Sequence, residues 1–144
     1  MSGTITSANS VIMLAAGTIF PVAQQIQGYS AEDIFDTDDV EMAEVQMGLD
    51  KKQSYGYVPF NVKWRLTLMA NSDSIAMFDS VIVAERVMTD KFRWDGVVTL
   101  PGTSKKFTMV NGVLTRGKVM PDAKKVLQPQ TYEITWESVL PAPM

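Results

Sequence analysis

The chain has 144 residues, of which 46% are hydrophobic and 20% charged, and its formal net charge is −3. This composition is typical of a folded globular protein, and the length predicts one domain spanning residues 1–144. Cys and His are both absent, which excludes disulfides, thiolate nucleophiles, His-based triads and the usual zinc sites, so we expect neither an enzyme nor a cofactor or metal.

The charge is distributed unevenly along the chain. Residues 1–50 contain eight acidic residues and no Lys or Arg, a net charge of −8, whereas residues 51–144 contain 13 basic and eight acidic residues, a net charge of +5. Such polarity is resolved either by pairing within one fold or by contacts between an acidic face of one copy and a basic face of the next. The sequence leaves both alternatives open.

The first predicted element is a hairpin. Ser10–Ala15 and Thr18–Ile26 are strand-like segments on either side of an Ala16-Gly17 turn, and Pro21 favours an edge position or a bulge. The same region, Val11–Ile26, is the longest apolar stretch, but it is interrupted and shorter than the roughly 20 residues that span a bilayer. No signal peptide is evident either. We expect a soluble protein with no membrane partner.

The next elements predict a long projecting hairpin. Residues 28–39 form an acidic connector, and Val40–Met47 predicts a strand with no cleanly polar face. A charged turn at Gly48–Lys52 leads into strand-like residues that run to Ala70 with a break at Pro59. We predict that residues 40–70 form a long hairpin whose charged tip projects from the domain. Its last part is the clearest amphipathic strand, with one apolar side: Val62, Trp64, Leu66 and Leu68.

One helix is predicted near residues 73–88. Ile75, Phe78 and Ile82 have the spacing of an apolar helical stripe and are expected in the core, with Asp79 and Arg86 beside the stripe and Asp73 and Ser80 further round toward solvent. Three strands follow: Arg93–Leu100, Lys106–Lys118 with a bend at Asn111-Gly112, and Gln130–Val139. The predicted fold class is mainly β, an antiparallel β-sandwich or barrel with one packed α-helix and a long projecting hairpin.

Two patterns suggest binding chemistry. The acidic residues of 36–41 suit a hard cation, but Glu41 stands where the calcium-loop template requires Gly, and Met47 where it requires Glu, so a solvated or interface loop is favoured. Lys63-Trp64-Arg65 interleaves cations with an aromatic ring, as in a single-stranded nucleic-acid-binding β-barrel. In a strand, however, Trp64 points away from both cations, which favours a buried Trp between exposed charges. Nucleic-acid binding remains the alternative function.

From Gly28 onward, the order of elements resembles the tail tube proteins of contractile-tailed bacteriophages. The resemblance is carried by Gly28–Asp33 leading into the acidic stretch, and by Gly112–Pro129 leading into Tyr132–Glu137. It implies that six copies form a ring, that stacked rings form a tube with a continuous inner β-barrel, and that genomic DNA passes through without specific binding. The implied partners are sheath, tape measure and baseplate proteins, and the implied location is a virion tail assembled in the host cytoplasm.

The resemblance also suggests roles for individual residues. Asp50, Lys51 and Lys52, at the hairpin tip, are expected to reach the adjacent ring. Glu41 and Glu44 are candidates for the lumen or the ring interface, and an acidic lumen would repel the phosphate backbone so that DNA slides. A tube initiator, or a type VI secretion tube protein of the same fold, is left as a further alternative.

Overall fold

The computed structural model describes residues 10–29 and 34–143, so Ala31, Glu32 and Asp33 of the acidic connector lie outside the described residues. Nine strands and one helix follow one another along this part of the chain. Their bounds are β1 Val11–Ala16, β2 Phe20–Gln25, β3 Phe35–Thr37, β4 Ala43–Met47, β5 Gln53–Tyr57, β6 Val62–Leu68, α1 Ile75–Met88, β7 Trp94–Leu100, β8 Lys105–Arg116 and β9 Gln130–Pro143.

Seven of the strands form one sheet in the order β2-β1-β7-β8-β9-β6-β3, and all neighbours are antiparallel. The predicted class, mainly β and antiparallel with a packed helix and a projecting hairpin, is confirmed. The sheet is open rather than a closed barrel, because β2 and β3 are its two edges. Pro21 lies in edge strand β2, where its missing N–H costs no ladder hydrogen bond.

The core lies between the sheet and α1. Trp64, Leu66 and Leu68 alternate inward along β6 and are buried, as the period-2 pattern predicts. From the helix, Phe78 stacks on Trp94 with ring centroids 5.1 Å apart and on Tyr132 at 4.3 Å. Aromatic pairs of this kind contribute beyond the apolar area that they bury.

The helix has the predicted orientation. Ile75 and Phe78 are buried and Ile82 packs against the core, while four polar residues of the segment are exposed: Asp73, Asp79, Ser80 and Arg86. The helix ends at Thr89, which adopts a left-handed conformation as C-cap (φ 51°).

The bend predicted in β8 is present at the predicted residues. Asn111 has φ 52° and lies at a bulge in the ladder between β7 and β8, where the pairing passes from Met109 opposite Gly96 to Gly112 opposite Trp94. A Cβ on Gly112 would lie 2.5 Å from a ring carbon of Trp136. Glycine is therefore required where the Trp136 ring crosses β8.

The projecting hairpin is shorter than the sequence predicts. β4 and β5 pair only with each other among the described strands, whereas β6 leaves the hairpin and enters the large sheet between β9 and β3. Pro59 interrupts the strand-like run, and the apolar side of β6 is stabilised by burial in the core. The prediction that a single hairpin extends from residue 40 to residue 70 is therefore wrong at its C-terminal end.

Candidate assembly surface

The most exposed element is the β4–β5 hairpin, residues 43–57, which we call the arm. Every residue of both strands is exposed. An isolated two-stranded ribbon is marginally stable in water, because it has no second layer on which to bury side chains. Both faces of the arm are therefore uncovered by the described part of its own subunit.

The two faces of the arm differ in polarity. Residues directly opposite in an antiparallel pair share a face. The register therefore groups five apolar or aromatic side chains with one amide, Gln53, on one side; the five are Ala43, Val45, Met47, Tyr55 and Tyr57. The other side carries Glu44, Gln46, Ser54 and Gly56. Tyr55 and Tyr57 remain 79% and 78% exposed. The strand predicted for Val40–Met47 begins only at Ala43, so Val40 and Met42 lie outside it and the second face of β4 is polar.

The tip of the arm is a tight turn over residues 48–52. The Gly48 N–H donates to the Lys52 carbonyl at 2.8 Å, and the Lys51 N–H donates to the Gly48 carbonyl at 3.0 Å. Asp50 accepts the Lys52 N–H through Oδ1 at 3.2 Å. Lys51 has φ 65°, a conformation that turn geometry imposes. The predicted charged tip is therefore formed, with Asp50, Lys51 and Lys52 all exposed.

The acidic connector is partly neutralised inside its own subunit. Arg65 Nε lies 2.7 Å from Asp36 Oδ1, and the same guanidinium binds Asp38 through both terminal nitrogens. The hydrogen bond from Arg65 lowers the pKa of Asp38. A weaker approach of Arg65 to Glu133, at 3.7 Å, completes the cluster. For these acids, pairing within the fold is the alternative that the structure supports.

Other acids of the N-terminal half remain at the surface. Glu41 lies in the extended segment that leads into the arm, and Glu44 lies on the arm's polar face. Both are exposed, and no ion pair among residues 10–29 and 34–143 includes either of them. They are therefore available for a contact between subunits, as is Asp39, which is also exposed.

The aromatic and cationic motif does not form a stacking platform. Trp64 is 2% exposed and packs edge-on against Trp136, with ring centroids 6.2 Å apart, while Lys63 is exposed. The segment Lys91-Phe92-Arg93-Trp94 interleaves cations and aromatic rings in the same way, and its Trp94 is fully buried. Stacking of bases requires an accessible ring face, so these motifs give no support to the nucleic-acid alternative.

The sequence patterns did not predict that two carboxylates, those of Glu133 and Glu85, are buried. The Glu85 carboxylate accepts hydrogen bonds from Lys91 Nζ at 3.1 Å and from the Phe92 N–H at 2.9 Å, and Lys91 Nζ also donates to the Leu114 carbonyl at 3.0 Å. These contacts tie the end of α1 to the start of β7. A signal was present, because Glu85 lies seven residues after Phe78 and so falls on the same helical stripe.

Within the described part of the chain, no group of three or more acidic side chains has the geometry of a metal site. Nor does that part contain a helix that combines the length and the apolar character needed to cross a bilayer.

Comparisons with known proteins find one matching family model and several solved structures of similar fold. The model of the family described as tail fiber protein gp32 matches residues 3–140. No curated protein matches the chain. Its fold is similar to a chain of the anti-feeding prophage baseplate, at 10% identity and a TM-score of 0.66, with 99% of this chain and 98% of that chain covered.

Two further solved structures share the fold. The anti-feeding prophage cap that terminates the tube is 14% identical with a TM-score of 0.64, covering 100% of this chain and 94% of that one. The sheath–tube complex of the PVC extracellular contractile injection system is 12% identical with a TM-score of 0.60, covering 92% and 88%. At such identities, likeness shows the fold alone, whereas the family model covers almost the whole chain. The chain therefore belongs to the tail fiber protein gp32 family.

Proposed function

We propose that the chain is a structural subunit of a contractile tail, which assembles with copies of itself into rings that stack as a tube. The observation that carries the proposal is the arm, whose apolar face is uncovered in the isolated subunit. Exposed apolar surface of this kind marks an interaction site. When one copy's arm contacts a different surface of the next copy, the contact is heterologous and generates rings or filaments.

The finer form of the proposal is a ring of six copies around an acidic lumen through which genomic DNA passes. The baseplate that contains one structural neighbour is described as six-fold symmetrised, which supports this ring size. The open sheet edges, β2 and β3, would be removed when strands pair around a ring. Sheath, tape measure and baseplate proteins are the proposed partners, in a virion tail assembled in the host cytoplasm.

Within this proposal the charged residues have distinct roles. Asp50, Lys51 and Lys52 at the arm tip contact the adjacent ring, and Glu41 and Glu44 line the lumen or the interface between rings. Their exposure in the subunit supports these roles. A structural role of this kind requires no catalytic residue.

A second candidate is a ring at one end of the tube. The neighbours with TM-scores of 0.66 and 0.64 come from a baseplate and from a cap that terminates a tube. Such a subunit would form a ring but would need a different protein above or below it. The two candidates differ in whether the purified chain grows beyond a single ring.

Negative-stain electron microscopy across a concentration series, with size-exclusion chromatography alongside, tests both. Hollow tubes support the tube subunit, and discrete rings that do not stack support the end ring. A chain that remains monomeric at high concentration, alone and with a nucleating baseplate, would contradict both forms of the proposal.

The role of the tip is tested by charge reversal. The variant K51E/K52E is expected to fold normally and to raise the concentration needed for stacking, since it inverts the charge presented to the next ring. The matched control is K105E/K106E, which reverses another exposed pair of neighbouring lysines at the start of β8. Equal polymer yields from K51E/K52E and the control would show that the tip does not contribute to the contact between rings.

A further inference from the structure

The loop between β8 and β9, residues 117–129, is a second surface built for contact, and we call it the basic loop. It is folded on itself: Lys118 Nζ pairs with Asp122 at 3.0 Å, and the Gln128 N–H donates to the Asp122 carbonyl at 2.9 Å. At its base, Gln130 Nε2 donates to the Lys118 carbonyl at 3.1 Å. The loop therefore holds a defined shape and presents its remaining side chains outward.

Those side chains are apolar and basic. Val119 and Met120 are 79% and 74% exposed, and Val126 and Leu127 are exposed as well. Lys124 and Lys125 lie between them in sequence and are also exposed. Soluble subunits rarely leave so many apolar side chains together on one loop unless a partner covers them.

The loop continues into a cleft of about 480 Å³ between the end of α1 and the end of β8. Ile82, Leu114 and Val119 supply apolar walls. The charged lining residues include one internal ion pair, Lys91 with Glu85, and besides that pair two guanidinium groups and one carboxylate: Arg86, Arg116 and Asp90. The matching partner is therefore a segment in which carboxylates and apolar side chains alternate.

The chain itself contains such a segment in residues 39–44, which we call the acidic segment. It reads Asp-Val-Glu-Met-Ala-Glu, so that a carboxylate recurs every second or third residue with an apolar side chain between. It is extended beside the base of the arm, where the Met42 carbonyl accepts the Val58 N–H at 3.1 Å. Met42 is 60% exposed, and Asp39, Glu41 and Glu44 are all at the surface.

We propose that the basic loop of one copy receives the acidic segment of a second copy. This rests on the proposed self-assembly and names the surface that accepts the base of the arm. Opposite charges at the rim steer and register the contact, and the apolar side chains between them are buried by it. Because the two surfaces differ, each copy can contact one neighbour through its basic loop and another through its acidic segment, as a ring or filament requires.

Two charge reversals test the pairing. K124E/K125E makes the loop acidic, and E41K/E44K makes the acidic segment basic. Each variant alone is expected to need a roughly tenfold higher protein concentration to assemble, since like charges then face each other. Mixed in equal amounts, the two variants are expected to assemble near the wild-type concentration, because every contact between unlike subunits is again complementary.

The control for the loop variant is K105E/K106E, which makes the same change in charge at the start of β8 and should assemble like the wild type. Circular dichroism establishes that all variants are folded, and light scattering measures the concentration at which assembly begins. The proposal is overturned if the mixture needs as high a concentration to assemble as each variant does alone. It is also overturned if K124E/K125E assembles like the wild type, in which case the loop would contact a different tail protein. In either case the wild-type assembly, and with it the proposed function, stands. A wild-type chain that never assembles removes both.

Discussion

At the scale of single residues, Phe78 is the side chain on which the helix depends. It is fully buried and stacks on both Trp94 and Tyr132. Phe78→Ala is expected to lower the free energy of unfolding by about 3–5 kcal/mol, because it removes a large buried side chain and leaves a cavity. Val83→Ala, on the outer side of the same helix and 61% exposed, is the control and should change stability by less than about 0.5 kcal/mol. Urea unfolding measures both, and similar losses would contradict the observed orientation of the helix.

Tyr132 is expected to determine the response to alkaline pH. Burial, with a smaller contribution from the charge of Asp79, raises the pKa of Tyr132 from 10.0 to about 12. Because the folded-state pKa is the higher one, the stabilisation from the neutral phenol is complete below pH 10 and is lost as pH rises toward 12. Between these values the urea midpoint of the wild type should fall, and that of Tyr132→Phe should fall less steeply.

The control for this pH profile is Tyr55→Phe, since Tyr55 is exposed on the arm. It makes the same chemical change, removal of one phenolic hydroxyl, at a side chain that is not buried. A Tyr132→Phe profile parallel to that of the wild type would assign the alkaline loss of stability to other groups.

At the scale of elements, the arm is expected to serve assembly rather than folding. The triple variant V45T/Y55T/Y57T places Thr, a residue with high β-strand propensity, in both strands and makes most of the exposed apolar face polar. The melting temperature should shift by less than about 4 °C, which corresponds to about 1 kcal/mol or less, while rings and tubes should be lost. Differential scanning calorimetry and electron microscopy measure the two effects separately.

The control for the arm changes its polar face, as Q46T/S54T, and should assemble normally. A large fall in melting temperature for the triple variant would show that the apolar face stabilises its own subunit. That result would remove the main support for the arm as a contact between copies.

At the scale of the whole molecule, assembly should depend on ionic strength. Raising salt from 0.15 M to 1 M shortens the Debye length from about 8 Å to about 3 Å, so contacts between exposed charges on neighbouring copies are screened. The wild type should need a higher protein concentration to assemble at 1 M salt, as measured by light scattering. K124E/K125E should respond less or in the opposite direction, because screening then weakens a repulsion. Assembly that strengthens with salt in the wild type would contradict a charged interface.

Much of the fold follows from local patterns in the sequence. Alternation with a period of two predicts β6, and the spacing of Ile75, Phe78 and Ile82 predicts both the helix and its buried side. The short edge strand β3 was not predicted, because it lies in the segment that was assigned to the acidic connector. Turn residues predict the tip of the arm at Gly48–Lys52. These features depend on neighbours within a few residues, so the sequence alone is enough to find them.

The candidate surface was only partly predictable, because part of it depends on contacts between residues far apart in the sequence. The sequence by itself determined that the chain has an acidic N-terminal half, a basic remainder, a charged hairpin tip and neither His nor Cys. Only the tertiary structure decided that Arg65 neutralises Asp36 and Asp38, 29 and 27 residues away, and that Glu85 is buried. It also decided that β6 pairs with β9 and β3 in the large sheet, so that the arm consists of β4 and β5 alone. Such outcomes depend on which distant strands pair and which surfaces have no partner within the fold, and no local pattern contains that information.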